Sequence, residues 1–127
     1  MNKQRPKHLA LHLIKQPLPA IVSILHRVSG LILFCALPLL LLMLQYSLKS
    51  IETYTQLAEI LGNPYIKIML IGLLWAFLHH FCAGLRHLAW DAGLGFELPQ
   101  VHRSGRAVVI ATAVLTLLTW IVGVAVM

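Results

Sequence analysis

Three long apolar runs, about residues 20–46, 65–89 and 106–127, alternate with polar segments along this chain. Each run meets the requirement of roughly 20 apolar residues for an α-helix to cross a ~30 Å hydrocarbon layer. The pattern predicts an all-α chain with three transmembrane helices. Pro38 sits inside the first run, and membrane helices tolerate this where neighbours satisfy the freed carbonyl. Trp90 closes the second run and suits a membrane interface.

The connections are of different kinds. Residues 1–19 are basic and broken by Pro6, Pro17 and Pro19, with room in "LALHLIK" for an amphipathic turn or two at the interface. Residues 47–64 are the most polar. There "ETYTQLAEIL" predicts a short surface helix, and Gly62-Asn63-Pro64 a turn. The stretch "DAGLGFELPQVHRSG" is rich in Gly and Pro and reads as a loop.

Composition turns this pattern into a class. The chain is 59% hydrophobic and 11% charged, against about 25% charged in a soluble domain. Its 127 residues suffice for a single integral membrane domain. A net charge of +6 would raise nucleic acid as a partner in a soluble protein, but here the basic residues flank the apolar runs, where they set topology. Lys3, Arg5, Lys7, Lys15 and Arg27 lie before or at the start of the first span, and Arg86, Arg103 and Arg106 around the second loop. Only Lys49 and Lys67 fall on the other side. The excess predicts a cytoplasmic N-terminus and an external C-terminus. The first run is too long for the roughly 7–15-residue core of a signal peptide, so it reads as a retained helix. Cys35 and Cys82 lie inside apolar runs with no C-x-x-C spacing, and they read as small hydrophobes.

Ionisable residues gather at the end of the second span, in "HHFCAGLRHLAWD". At ~100° per residue, with His80 as origin, Gly84 lies at about 40°, His87 at about −20° and Asp91 at about 20°. These four form one stripe, and His79 lies about 100° away from it. Intramembrane ionisable residues are costly and usually face a bundle interior. An imidazole with a glycine one turn later suits a haem edge, because the glycine leaves room for a flat macrocycle. Structural readings stand beside this one. His80 can be hydrogen-bonded to a neighbouring helix, and His87 can snorkel at the interface. His79 can face another helix or the lipid border. Gly84 can serve close helix packing. Arg86 can anchor the helix end, and Asp91 can cap it or pair with an arginine.

The first span opens with "SILHRVSG". With Ser23 as origin, Arg27 lies at about 40°, Gly30 at about −20° and His26 at about −60°. A hydroxyl and a guanidinium at a membrane interface can hold quinone oxygens, and a guanidinium can pair with a haem propionate. Equally, Arg27 can supply positive-inside charge and Ser23 a helix cap. His8, His12 and His102 lie in polar segments and read as solvated.

"SILHRVSG" followed one span later by H-x-x-x-G-x-R-H-L-x-x-D (His80, Gly84, Arg86, His87, Leu88 and Asp91) resembles the cytochrome b membrane-anchor subunit of succinate dehydrogenase. The "RPKHL" opening, the length, the three spans and the orientation fit as well. The resemblance implies a three-helix anchor forming half of a membrane-anchor helix bundle. A second small anchor subunit would supply the other haem ligand, and flavoprotein and iron–sulfur subunits would dock on the cytoplasmic face. It implies haem b shared with the partner anchor, with His80 as axial ligand to the iron. It places His26 and Arg27 on the propionate side, and Ser23 and Arg27 at the quinone, with ubiquinone as the electron acceptor. His79, His87 and Asp91 take no role from it. The location implied is the bacterial inner membrane, or the mitochondrial inner membrane in a eukaryote.

The chain alone would not oxidise succinate. It has no dinucleotide-binding glycine fingerprint and no cysteine framework for iron–sulfur clusters. Two other readings remain open at this stage: a fumarate reductase anchor, and a non-redox membrane scaffold that uses its polar stripe only for packing.

Overall fold

The computed structural model describes residues 14–126, with side chains to Gly123. Lys3, Arg5, Lys7, His8 and His12, with most of the expected amphipathic segment 9–15, lie outside the described residues. Four helices follow in order: α1 (Leu18–Lys49), α2 (Ile51–Gly62), α3 (Pro64–Asp91) and α4 (Leu98–Val126). The described residues contain no strand. Three of the helices are long and apolar enough to cross a membrane: α1, α3 and α4.

Local chemistry explains where each begins and ends. α1 starts after Pro17, which is extended, and Pro19 fits its first turn, where no amide hydrogen is needed. The Pro17 carbonyl accepts from the amides of Ala20 and Ile21 at 2.9 and 3.2 Å. Ser50 then breaks the chain direction and caps α2 in a reciprocal box. Its Oγ accepts from the Thr53 amide at 3.1 Å, and Thr53 Oγ1 accepts from the Ser50 amide at 3.0 Å. Tyr46 ties α2 back to α1 by donating to Gln56 Oε1 at 2.6 Å. Asn63 is held extended by the proline after it, and its side chain accepts from the Tyr65 amide at 2.9 Å to open α3.

α3 ends in a Schellman motif. Gly93 adopts φ +81°, the Leu94 amide bonds the Ala89 carbonyl and the Gly93 amide bonds the Trp90 carbonyl, both at 2.9 Å. Asp91 is exposed, so the helix end is closed by glycine geometry and not by its carboxylate.

The expected surface helix at 52–61 is α2. The expected loop at 91–105 is shorter than its composition implies, because α4 begins at Leu98. Pro99 is admitted in the first turn, where its missing amide costs nothing. Gly105, buried in the helix, lies over Pro19, and a Cβ there would sit 3.7 Å from the Pro19 backbone. The segment 98–105 is therefore helical but polar, a part of α4 that extends beyond the apolar run.

α3 packs against both α1 and α4, and those two touch each other. The buried centre is small: Val22, Ala83 and Val108, with Leu18 and Cys82 against them. Cys35 is exposed, and both cysteines are free. Nearly every large apolar side chain of α1 beyond Gly30 is exposed, including Phe34 at 75%. Lipid or partner chains must cover that surface. Between membrane helices the apolar driving force is weak, so small residues and polar contacts set the packing. Ala76, Ala83, Gly105, Ser29 and Thr112 are the buried small residues here.

Candidate functional site

α3 carries two polar faces. The first holds His80, Gly84 and His87, as the ~100° phase predicts, and it packs on α1. The α1 residue that meets it is His26. Its ring stacks on that of His80 with centroids 4.3 Å apart and planes 12° from parallel. The His87 ring lies 4.9 Å from His26, and Trp90 meets His87 edge-on at 5.2 Å. Three imidazoles thus form one cluster.

Two glycines border the cluster, Gly84 on α3 and Gly30 on α1. A Cβ on Gly84 would lie 3.7 Å from His26 Nε2, an ordinary contact, so Gly84 faces the His26 ring without being required by it. The closest approach is at Gly30, where a Cβ would lie 2.9 Å from His80 Cε1. The imidazole of His80 rests directly on the α1 backbone.

Among the described residues, the hydrogen bonds of His80 are all at Nδ1. The His26 carbonyl lies 3.1 Å away and Ser29 Oγ 3.4 Å away. A carbonyl oxygen can only accept, so Nδ1 carries the proton. Nε2 is then the unprotonated nitrogen, with its lone pair available to a Lewis acid. A neutral imidazole whose second nitrogen donates to a backbone carbonyl is the usual form of a metal-ligating histidine. Among the described residues, no three His, Cys, Asp or Glu side chains converge as a site for a free metal ion. His80 thus leaves one imidazole nitrogen open to a group from outside the described residues.

Ser23 and Arg27 stand on the flank of this cluster. The inward side of α1 runs through Val22, His26 and Ser29, while Ser23 is half-buried and Arg27 exposed. None of the hydrogen bonds at the cluster involves Ser23 or Arg27. The site thus unites His26, His80 and His87, with Ser23 half-buried and Arg27 exposed outside its hydrogen bonds.

The second face of α3 holds Ala76, His79, Ala83 and Arg86, all buried. His79 is 1% exposed and stacks on Trp75 at 5.1 Å. It faces the helix interface, one of its two expected settings. Arg86 is 5% exposed. Its Nε donates to Ser104 Oγ at 3.0 Å, its Nη2 to the Val101 carbonyl at 3.3 Å, and its Cζ lies 4.1 Å over the Trp90 ring. Arg86 is thus a clamp between α3 and α4 and not an exposed anchor. His79, Ala83 and Arg86 follow i, i+4, i+7 spacing, which was the sequence signal for this second seam.

The family described as succinate dehydrogenase/fumarate reductase transmembrane subunit matches residues 1–119 of this chain. The chain belongs to this family. Within the succinate dehydrogenase/fumarate reductase transmembrane subunits it is similar to the succinate dehydrogenase cytochrome b556 subunit of Rickettsia conorii. The two are 38% identical over 118 residues, which cover 93% of this chain and 92% of the relative. The cytochrome b556 subunit of Paracoccus denitrificans is 36% identical, covering 93% and 91%. That of Coxiella burnetii is 36% identical, covering 95% and 99%. For a succinate dehydrogenase/fumarate reductase transmembrane subunit, three apolar helices and a membrane location are consistent findings.

Proposed function

We propose that this chain is the haem b-binding cytochrome b anchor of a succinate dehydrogenase. It would form a single membrane domain with its N-terminus on the cytoplasmic side. His80 Nε2 would hold the haem iron from this chain, and a second small anchor subunit would bring the other ligand. Flavoprotein and iron–sulfur subunits dock on the cytoplasmic face, and electrons from succinate leave to ubiquinone. The observation that carries the reading is the His80 imidazole, whose Nδ1 is bonded to the His26 carbonyl at 3.1 Å and whose Nε2 has no hydrogen bond among the described residues. Relatives named for succinate dehydrogenase support that reaction over fumarate reduction.

Haem b, when bound, supplies a one-electron carrier beside the quinone. The residues of this chain hold and orient. His26 fixes the His80 ring by stacking and by its carbonyl, and lies on the propionate side with Arg27. Ser23 and Arg27, one helical turn apart, offer a hydroxyl and an exposed guanidinium to quinone oxygens, where a cation stabilises the reduced form. Replacement of Arg27 with Ala in the purified complex tests this part. Succinate oxidation with a dye acceptor should persist while quinone reduction falls by at least an order of magnitude, in line with loss of one charge-stabilising donor at ~2.7–4 kcal/mol. Equal loss of both activities would contradict it.

A further inference from the structure

We propose that Ser29 and Gly30 of α1 are positioning residues for His80: they set the plane and the electron density of its imidazole from a helix that contributes no axial ligand of its own. The inference rests on the haem-ligand reading of His80.

Gly30 supplies the geometry. A Cβ there would lie 2.9 Å from His80 Cε1, 3.3 Å from Nδ1 and 3.9 Å from Nε2. Such contacts require a shift, so only glycine lets the ring rest where it does. The stacked His26 ring, 4.3 Å away, confines it further. The ring plane of His80 is therefore imposed by α1.

Ser29 supplies the electronic control. It is 1% exposed, and its hydroxyl donates to the His26 carbonyl at 2.9 Å. The same carbonyl accepts from His80 Nδ1 at 3.1 Å. Within a continuous α-helix it also faces the amide of Gly30. Three donors compete for an oxygen with two lone pairs. Ser29 Oγ also lies 3.4 Å from Nδ1, at the limit of a hydrogen bond and much weaker than its own bond to the carbonyl. Removing the hydroxyl thus loses a weak acceptor and frees a strong one. The bond from Nδ1 tightens, the imidazole becomes more electron-donating, and the oxidised iron is favoured.

The test uses the complete purified complex carrying Ser29→Ala, Gly30→Ala or His80→Ala. Haem content, the redox titration of the haem and the electron paramagnetic resonance of its oxidised form are measured. Ser29→Ala should retain its haem and lower the midpoint potential. Gly30→Ala should shift the largest g value, which reports the relative planes of the axial ligands. An unchanged or raised potential in Ser29→Ala overturns the inference, as does an unchanged g value in an assembled Gly30→Ala complex. If Gly30→Ala does not assemble, the direction of the Ser29→Ala shift decides alone. His80→Ala separates the two levels. If the low-spin signal survives it, the ligand reading fails and the inference with it. If the signal is lost while Ser29→Ala leaves the potential unmoved, only the inference fails.

Discussion

Arg86 should be replaced more safely by methionine than by lysine. The guanidinium is 5% exposed, makes two hydrogen bonds to neutral acceptors on α4, and lies over Trp90. Its Nη1 is buried without a hydrogen-bond partner in the described structure. Hydrogen bonds from a charged group contribute about 1.5–3 kcal/mol each, and the stacking about 0.5–2 kcal/mol. Against them stands the desolvation of a cation, several kcal/mol where no carboxylate compensates it. These terms nearly cancel, so removing the charge costs little if its volume is kept. Arg86→Met should therefore destabilise the α3–α4 contact by less than about 1.5 kcal/mol, in the range of volume-conserving swaps. Arg86→Ala adds a cavity beneath Trp90 and should cost about 2–4 kcal/mol. Arg86→Lys keeps a buried charge but loses the planar fork, so it should cost at least as much as Ala. Ser104 retains its own bond to the Val101 carbonyl at 3.1 Å in each variant, so no new orphan arises there. Thermal denaturation of the detergent-solubilised complex gives the ranking. Lysine tolerated as well as methionine would refute the argument that a buried charge deprived of the planar fork is what costs stability at this seam.

Two further substitutions probe the frame around the site. At Gly105 a Cβ would meet Pro19 at ordinary contact distance, 3.7 Å. Gly105→Ala should therefore be within about 1 kcal/mol of the wild type, since helical alanine gains roughly that over glycine, whereas Gly105→Leu should drive α4 off α1 and lower the yield of assembled complex. Ser50→Ala removes the cap of α2 and should cost about 1 kcal/mol, read as faster amide exchange at Thr53 and its neighbours with the haem spectrum unchanged.

The long helices were legible because uninterrupted apolar runs of bilayer length have few other solutions. The His80, Gly84, His87 face of α3 was legible for a different reason: polar residues in an apolar helix are sparse enough for helical phase to group them. α1 offered less. It is apolar nearly all round, so its pattern does not say which side meets α3. Phase measured from Ser23 put His26 to one side, and that side proved to be the packed one, through Val22, His26 and Ser29. The N-terminal part of α4 was hidden because Gly, Pro and charge resemble a loop. Those residues record that the segment leaves the apolar layer, but they are compatible with a helix whose proline sits in its first turn. The burial of Arg86 escaped because it points to α4, and no residue type on α4 announces an acceptor as plain as the Val101 carbonyl.

Under the proposed function His80, and not its neighbour His79, holds haem iron. The two histidines differ in their neighbours and not in having a spare nitrogen, since His79 Nε2 is also buried without a partner among the described residues. His80 has its Nδ1 bonded to the His26 carbonyl and its ring stacked on that of His26, while His79 is 1% exposed and stacked on Trp75 of its own helix. The reduced-minus-oxidised absorption spectrum of the purified complex should be measured for His80→Ala and His79→Ala side by side. Loss or displacement of the low-spin haem bands in His80→Ala, with the bands of His79→Ala in place, is the predicted result. The reverse pattern would contradict the assignment.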